Sequence, residues 1–151
     1  MSAALPLLDR LIGAGGGGVP TGSAAQARLW RDAVRRDLEN LLNTRLRFLS
    51  PPAELVELER SLVNYGVPDF AGASFADPRQ QAELERLLEK TIRHFEPRLH
   101  RLRVQVQRAR GEERVLRFRI DAAMQIGDQF EPAVFESRLD ARTSTFYVGS
   151  A

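Results

Sequence analysis

The chain has 151 residues, of which 43% are hydrophobic, 28% charged and 7% aromatic, the usage of one ordinary globular domain. It has no cysteine and only two histidines, His94 and His100, which excludes disulfides, thiolate metal sites, cysteine nucleophiles and a three-histidine zinc site; neither metal nor cofactor is expected. The net charge is only +2 although the pI is 9.6, because 21 of the 22 basic residues are arginine and little else titrates above neutral pH; a high pI of this origin is weak support for nucleic-acid binding.

Leu5, Leu8, Leu11 and Ile12 recur at helical spacing and predict a short amphipathic arm. Asp9 and Arg10 interrupt it, and no stretch approaches the ~20 apolar residues of a membrane span, so neither export nor direct membrane insertion is expected. The run Gly13-Ala14-Gly15-Gly16-Gly17-Gly18 spells G-x-G-x-x-G, but a dinucleotide loop needs a strand before it and a helix starting at it, whereas Pro20-Thr21-Gly22 follow. It reads as a flexible linker. Residues 1–22 are therefore expected to form a tethered arm that docks through Leu8 and Leu11, and residues 23–148 the domain proper.

Ser23 and Gln26 make a capping box for a helix to about Asn43, with Trp30, Val34, Leu38, Leu41 and Leu42 on its buried stripe. Pro51-Pro52 predict a second, shorter helix to about Asn64, with Leu55, Leu58, Leu62 and Val63 apolar and Tyr65-Gly66 ending it. Residues 67–76 read as loop. Asp77-Pro78 caps and opens a third helix, Gln80 completing a second capping box; Leu84, Leu87, Leu88, Ile92 and Phe95 carry it to a stop at Pro97.

From Leu99 the period changes to two, with Leu102, Val104 and Val106 alternating with Arg101, Arg103, Gln105 and Gln107. A second run alternates Leu116, Phe118, Ile120, Ala122 and Met124 against Arg117, Arg119 and Asp121. A turn centred on Gly111 pairs Leu102 with Ile120, Val104 with Phe118 and Val106 with Leu116. That register sets Asp121 opposite Arg101, and Arg119 opposite Arg103, a like-charge pair that costs stability unless something acidic covers it. Two shorter strands are expected near 133–139 and 143–148, joined at Asp140-Ala141-Arg142. The fold class is α+β, with three N-terminal helices packed on a small mixed or antiparallel sheet of three to four strands.

Residues 93–119 hold nine basic and three acidic side chains, which makes the hairpin the basic element. A solvated face, a nucleic-acid groove and a docking surface for acidic protein all fit it. Single-stranded nucleic acid would want aromatic side chains among the arginines, and the outer face offers none, so protein docking through Arg103 and Arg119 is preferred over RNA.

The segment His94-Phe95-Glu96-Pro97-Arg98-Leu99 is locally odd. Glu96 stands at a helix C-terminus, where the macrodipole disfavours an anion, and Pro97 leaves the strand entry one amide donor short. An intramolecular Glu96–arginine pair that pins the helix to the sheet explains this, and so does a rigid surface offered to a partner. The residues alone leave both open.

Leu7-Leu8-Asp9-Arg10-Leu11, the stretch from Val34 to Arg45, the stretch from Ser61 to Asp69, and above all Phe95-Glu96-Pro97-Arg98-Leu99 occur in this order. Together they resemble the TssE family of type VI secretion baseplate proteins, relatives of the contractile-phage wedge subunit that starts the tail sheath. The Glu-Pro-Arg triplet is that family's hallmark and stands here intact; the departure is the glycine-rich stretch after the arm. The resemblance implies a phage baseplate wedge-like fold and a cytoplasmic structural protein of Gram-negative bacteria, part of a large ring-shaped assembly docked at the inner membrane complex. It implies partners in the wedge proteins TssF and TssG, with TssK a further candidate, and in the sheath proteins TssB and TssC. Glu96, Pro97 and Arg98 become partner-binding residues, and the short C-terminal strands ending at Phe146-Tyr147-Val148 become candidate sheet edges.

The resembling family also carries a lysozyme-related label, so a peptidoglycan glycosidase is the enzymatic alternative. Such an enzyme needs two carboxylates flanking a cleft, one of them a proton donor in an apolar pocket. An arginine two residues from Glu96 is the wrong neighbour for that donor. No catalytic residue is expected.

Overall fold

The computed structural model describes residues 11, 23–46, 54–59, 61–69, 77–107, 115–140 and 142–150; Leu8, the glycine run and the turn after Gln107 lie outside them. Two long helices, α1 (Ser23–Asn43) and α2 (Pro78–Phe95), pack on a four-stranded sheet of β1 (Leu99–Gln107), β2 (Val115–Ile126), β3 (Gln129–Asp140) and β4 (Thr145–Ser150). The strands run in the order β1-β2-β3-β4 and every pairing is antiparallel, so the α+β class holds.

Each long element follows from its pattern. Asp77 caps α2 by accepting from the Arg79 amide at 2.9 Å, with Pro78 as the first helical residue, where its missing donor costs nothing. Leu84, Leu88 and Ile92 turn one stripe of α2 inward, and Val34, Leu38, Leu41 and Leu42 do the same for α1. Alternate residues of the strands meet them: Val104, Phe118, Ile120, Phe135, Leu139, Phe146 and Val148 are all buried, and Trp30 is half-buried against this core. The other face of the sheet is open, as antiparallel sheets allow.

Three expectations are corrected. The helix expected from Pro51 to Asn64 is absent: among the described residues the segment is one helical turn, Val56–Glu59, and a 3-10 turn, Leu62–Asn64. Ser61 separates them in an extended conformation (φ −83°, ψ 163°), and its amide (3.2 Å) and hydroxyl (2.8 Å) both bond to the Leu58 carbonyl. A serine that satisfies the carbonyl in this way competes with helix propagation. Gly66, at φ 120°, then lets the chain lie against the Thr44 carbonyl, where any Cβ would collide with it.

The hairpin register is the second correction. Val104 faces Ile120 and Val106 faces Phe118, so Arg103 stands opposite Asp121 and Arg119 opposite Gln105 and Glu136; the Arg103–Arg119 opposition does not form. Arg101, at φ 51°, occupies a register shift between His100 and Arg103. Thirdly, β3 is longer than expected and β4 lies two residues further along the chain at the same length. β2 and β3 run on to a two-residue turn at Gly127-Asp128, with Gly127 at φ 62°, and β4 reaches Ser150.

Candidate docking site

α2 ends at Glu96, whose backbone leaves the helix (φ −124°, ψ 74°) while its amide still bonds to the Ile92 carbonyl at 2.8 Å. Pro97 turns the chain, and the Leu99 amide returns to the Glu96 carbonyl at 3.1 Å, so the triplet forms a tight corner between α2 and β1. Glu96 is 4% exposed. A buried carboxylate at the negative end of a helix needs strong compensation.

Arg98 supplies it. Its Nε and Nη2 donate as a fork to the two oxygens of Glu96, and its amide donates to Glu96 Oε1 at 3.4 Å. The same Nη2 donates to Asp37 Oδ2 at 2.6 Å, from the middle of α1, and the Arg98 carbonyl accepts from the Gln125 amide of β2 at 2.9 Å. One residue thus ties α1, the end of α2 and the sheet together. Burial alone would lower the Arg98 pKa, but the hydrogen bonds and charges of Glu96 and Asp37 raise it above its ordinary value. Tyr65 shares this neighbourhood, edge-on to Phe95 with ring centroids 5.2 Å apart. Burial first, then the charges of Asp37 and Glu96, lift its phenol above 10.0.

The intramolecular Glu96–Arg98 pair is therefore formed, with the carboxylate inside. What the corner presents to solvent is the Pro97 ring and the outer flanks of Arg98 and Asp37. Asp37 and Tyr65 were not singled out from the sequence. Both lie in the quoted stretches from Val34 and from Ser61, so three segments that are distant in the chain converge on one cluster.

The sheet edges are occupied from the helices. Asn43 Nδ2 donates to the Phe146 carbonyl at 2.8 Å and Asn43 Oδ1 accepts from the Phe146 amide at 2.8 Å, the two bonds a neighbouring strand would make. Glu39 accepts from the Val148 amide at 3.4 Å and Arg35 donates to the Val148 carbonyl at 3.2 Å, the two side chains pairing with each other at 3.2 Å. Arg35, Glu39 and Asn43 are spaced by four and share one face of α1. On the opposite edge, Glu89 accepts from the Val104 amide at 2.9 Å and Glu85 from the Val106 amide at 2.7 Å. β4 is an edge strand, but its outward groups at Phe146 and Val148 are already bonded.

The remaining sequence candidates lie apart from the corner. Arg119 donates through Nε to both oxygens of Asp121 at 3.0 Å, on the open face of the sheet; this hydrogen bond, then the Asp121 charge, raises its pKa. Arg103 is exposed opposite Asp121, and Leu11 is 74% exposed. No described helix is long and apolar enough to cross a membrane.

Two helices are thus joined to an antiparallel sheet through a Glu-Pro-Arg corner whose carboxylate is buried and held by Arg98. The chain belongs to the family of the baseplate wedge protein gp25, which it matches over residues 29–129, more than half its length. The matched span contains Asp37, Tyr65, Glu96 and Arg98. No curated protein matched the chain significantly. A structural component of a baseplate is the role this family carries.

Proposed function

We infer that the chain is the TssE-type wedge subunit of a type VI secretion baseplate, acting in the cytoplasm as a non-enzymatic structural part. In this reading it holds the core bundle built by TssF and TssG, with TssK nearby, and anchors the first ring of the TssB and TssC sheath. The observation that carries it is the intact Glu96-Pro97-Arg98 corner in a chain of the gp25 family. Glu96 and Arg98 hold each other, so the corner meets a partner already ordered and little entropy is lost when it docks. Residues 1–22 serve as the tethered arm of the domain that follows, Leu8 and Leu11 reaching the wedge while Arg103 and Arg119 face acidic protein on the open sheet face. Any strand added at the β1 or β4 edge has to displace the helix side chains bonded there.

Glu96 also bears on the glycosidase alternative. Both its oxygens are engaged by one guanidinium and it is nearly excluded from solvent, which supports a bracing carboxylate over a proton donor.

Thermal unfolding of Pro97→Ala, Glu96→Ala and Arg98→Ala, measured beside co-purification with TssF and TssG, tests the proposal. Pro97 is exposed, so Pro97→Ala should stay folded and lose assembly. A folded Pro97→Ala that assembles normally overturns the corner as a partner site, and release of reducing sugar from peptidoglycan that disappears in Glu96→Gln overturns the structural reading.

A further inference from the structure

Leu55, Leu58, Leu62 and Val63 are written at the spacing of a buried helical stripe, and the domain does not bury it. Leu62 is 84% exposed, Val63 52% and Leu55 51%. Among the described residues no other stretch of ten exposes three large aliphatic side chains, so exposed aliphatic surface concentrates in this segment. Between the two short turns opens a shallow depression of about 550 Å³, lined by Glu54, Leu55, Glu57, Leu58 and Ser61. Its floor is apolar; among the described residues no basic residue lines it, and Glu54 and Glu57 are exposed without an ion pair.

We propose that this stripe docks an amphipathic helix of a partner protein whose apolar face is flanked by lysine or arginine. Apolar anchors one turn apart fit a short groove of this kind. The two unpaired carboxylates on its rim attract a cationic flank and repel an acidic one, so charge selects the partner and apolar burial holds it. A symmetric contact with a second copy of this chain sets Glu54 and Glu57 against their own counterparts. Leu11, from the segment that precedes the domain, is 74% exposed and does not line this depression. This inference does not rest on the baseplate reading.

The test is fluorescence anisotropy with the full chain at about 0.15 M ionic strength. The probes are a labelled leucine–lysine amphipathic helix and the same helix with glutamate replacing lysine. The lysine helix should bind at least about tenfold more tightly than the glutamate helix. Leu62→Asp, at a position too exposed to threaten folding, and the pair Glu54→Lys/Glu57→Lys should each weaken the lysine helix by about tenfold or more. Asp128→Lys, which changes charge elsewhere, should leave it unchanged. Absence of binding, equal binding of the two helices, or an equal loss in Asp128→Lys overturns the proposal. So does a dimer in sedimentation that Leu62→Asp dissolves, which assigns the stripe to a second copy. Tighter binding after deletion of residues 1–22 assigns it to the arm and overturns it as well.

Discussion

Arg98 and Arg119 both donate to the two oxygens of a carboxylate two residues away, and both have a raised pKa, yet they do different work. Arg119 reaches Asp121 along one strand, where residues i and i+2 share the open face, and water screens the pair. Arg98 reaches Glu96 across a proline corner that closes over the carboxylate, and it carries a second bond to Asp37 from another helix. Burial, not pairing, separates them. An exposed pair can be cut with little consequence, whereas half of a buried pair cannot be removed without stranding the other half.

Breaking the buried side gives the largest expected effect. Glu96→Ala leaves the Arg98 guanidinium partly buried with Asp37 alone and should lower unfolding stability by about 3 kcal/mol, read as a shift of the urea midpoint without a change in slope. A fall no larger than that of a surface mutant places the corner with the exposed pairs. Next comes the β4 edge: Asn43→Ala removes its two bonds to the Phe146 backbone and should cost about 1 kcal/mol, with amide exchange at Phe146 accelerated more than at Tyr147.

Tyr65 sharpens the comparison through pH. Its folded pKa is raised, so the folded state holds the phenolic proton more tightly than the unfolded chain does. That stabilising contribution is complete below 10.0 and is lost as pH rises through the folded value. Tyr65→Phe should therefore match the parent at neutral pH and fall less steeply above pH 10.0; parallel alkaline limbs would separate Tyr65 from the two carboxylates. The smallest effect belongs to the exposed pair: Arg119→Ala should leave the thermal midpoint unchanged within error. A clear drop would mean that the open face contributes more than its exposure allows.

Much of the fold was legible because local signals agreed with each other. α1 and α2 were written in leucine spacing, with Asp77-Pro78 marking the start of α2 and Pro97 marking its end. The sheet was legible as alternation, but its register was not: a slip of two residues keeps every side chain on its own face, so the apolar pattern of Val104, Val106, Phe118 and Ile120 fits both pairings. The missing helix failed for a local reason, since Ser61 takes the Leu58 carbonyl that helix propagation requires. Glu96 and Arg98 stood out as a local oddity, but Asp37 could not, because nothing in the sequence says which acid on α1 comes to face the corner. The bonds of Asn43, Glu39 and Arg35 to β4 were hidden for the same reason.

The central claim is that Arg98 braces α1 to the Glu96 corner as one unit. A double-mutant cycle on Asp37→Ala and Arg98→Ala, by urea unfolding with the double variant, measures this directly. The account predicts that the double variant is less destabilised than the sum of the singles by about 1 kcal/mol, a value already reduced for the partial exposure of both side chains. Additivity within about 0.3 kcal/mol would show that Asp37 and Arg98 act independently and would contradict the brace.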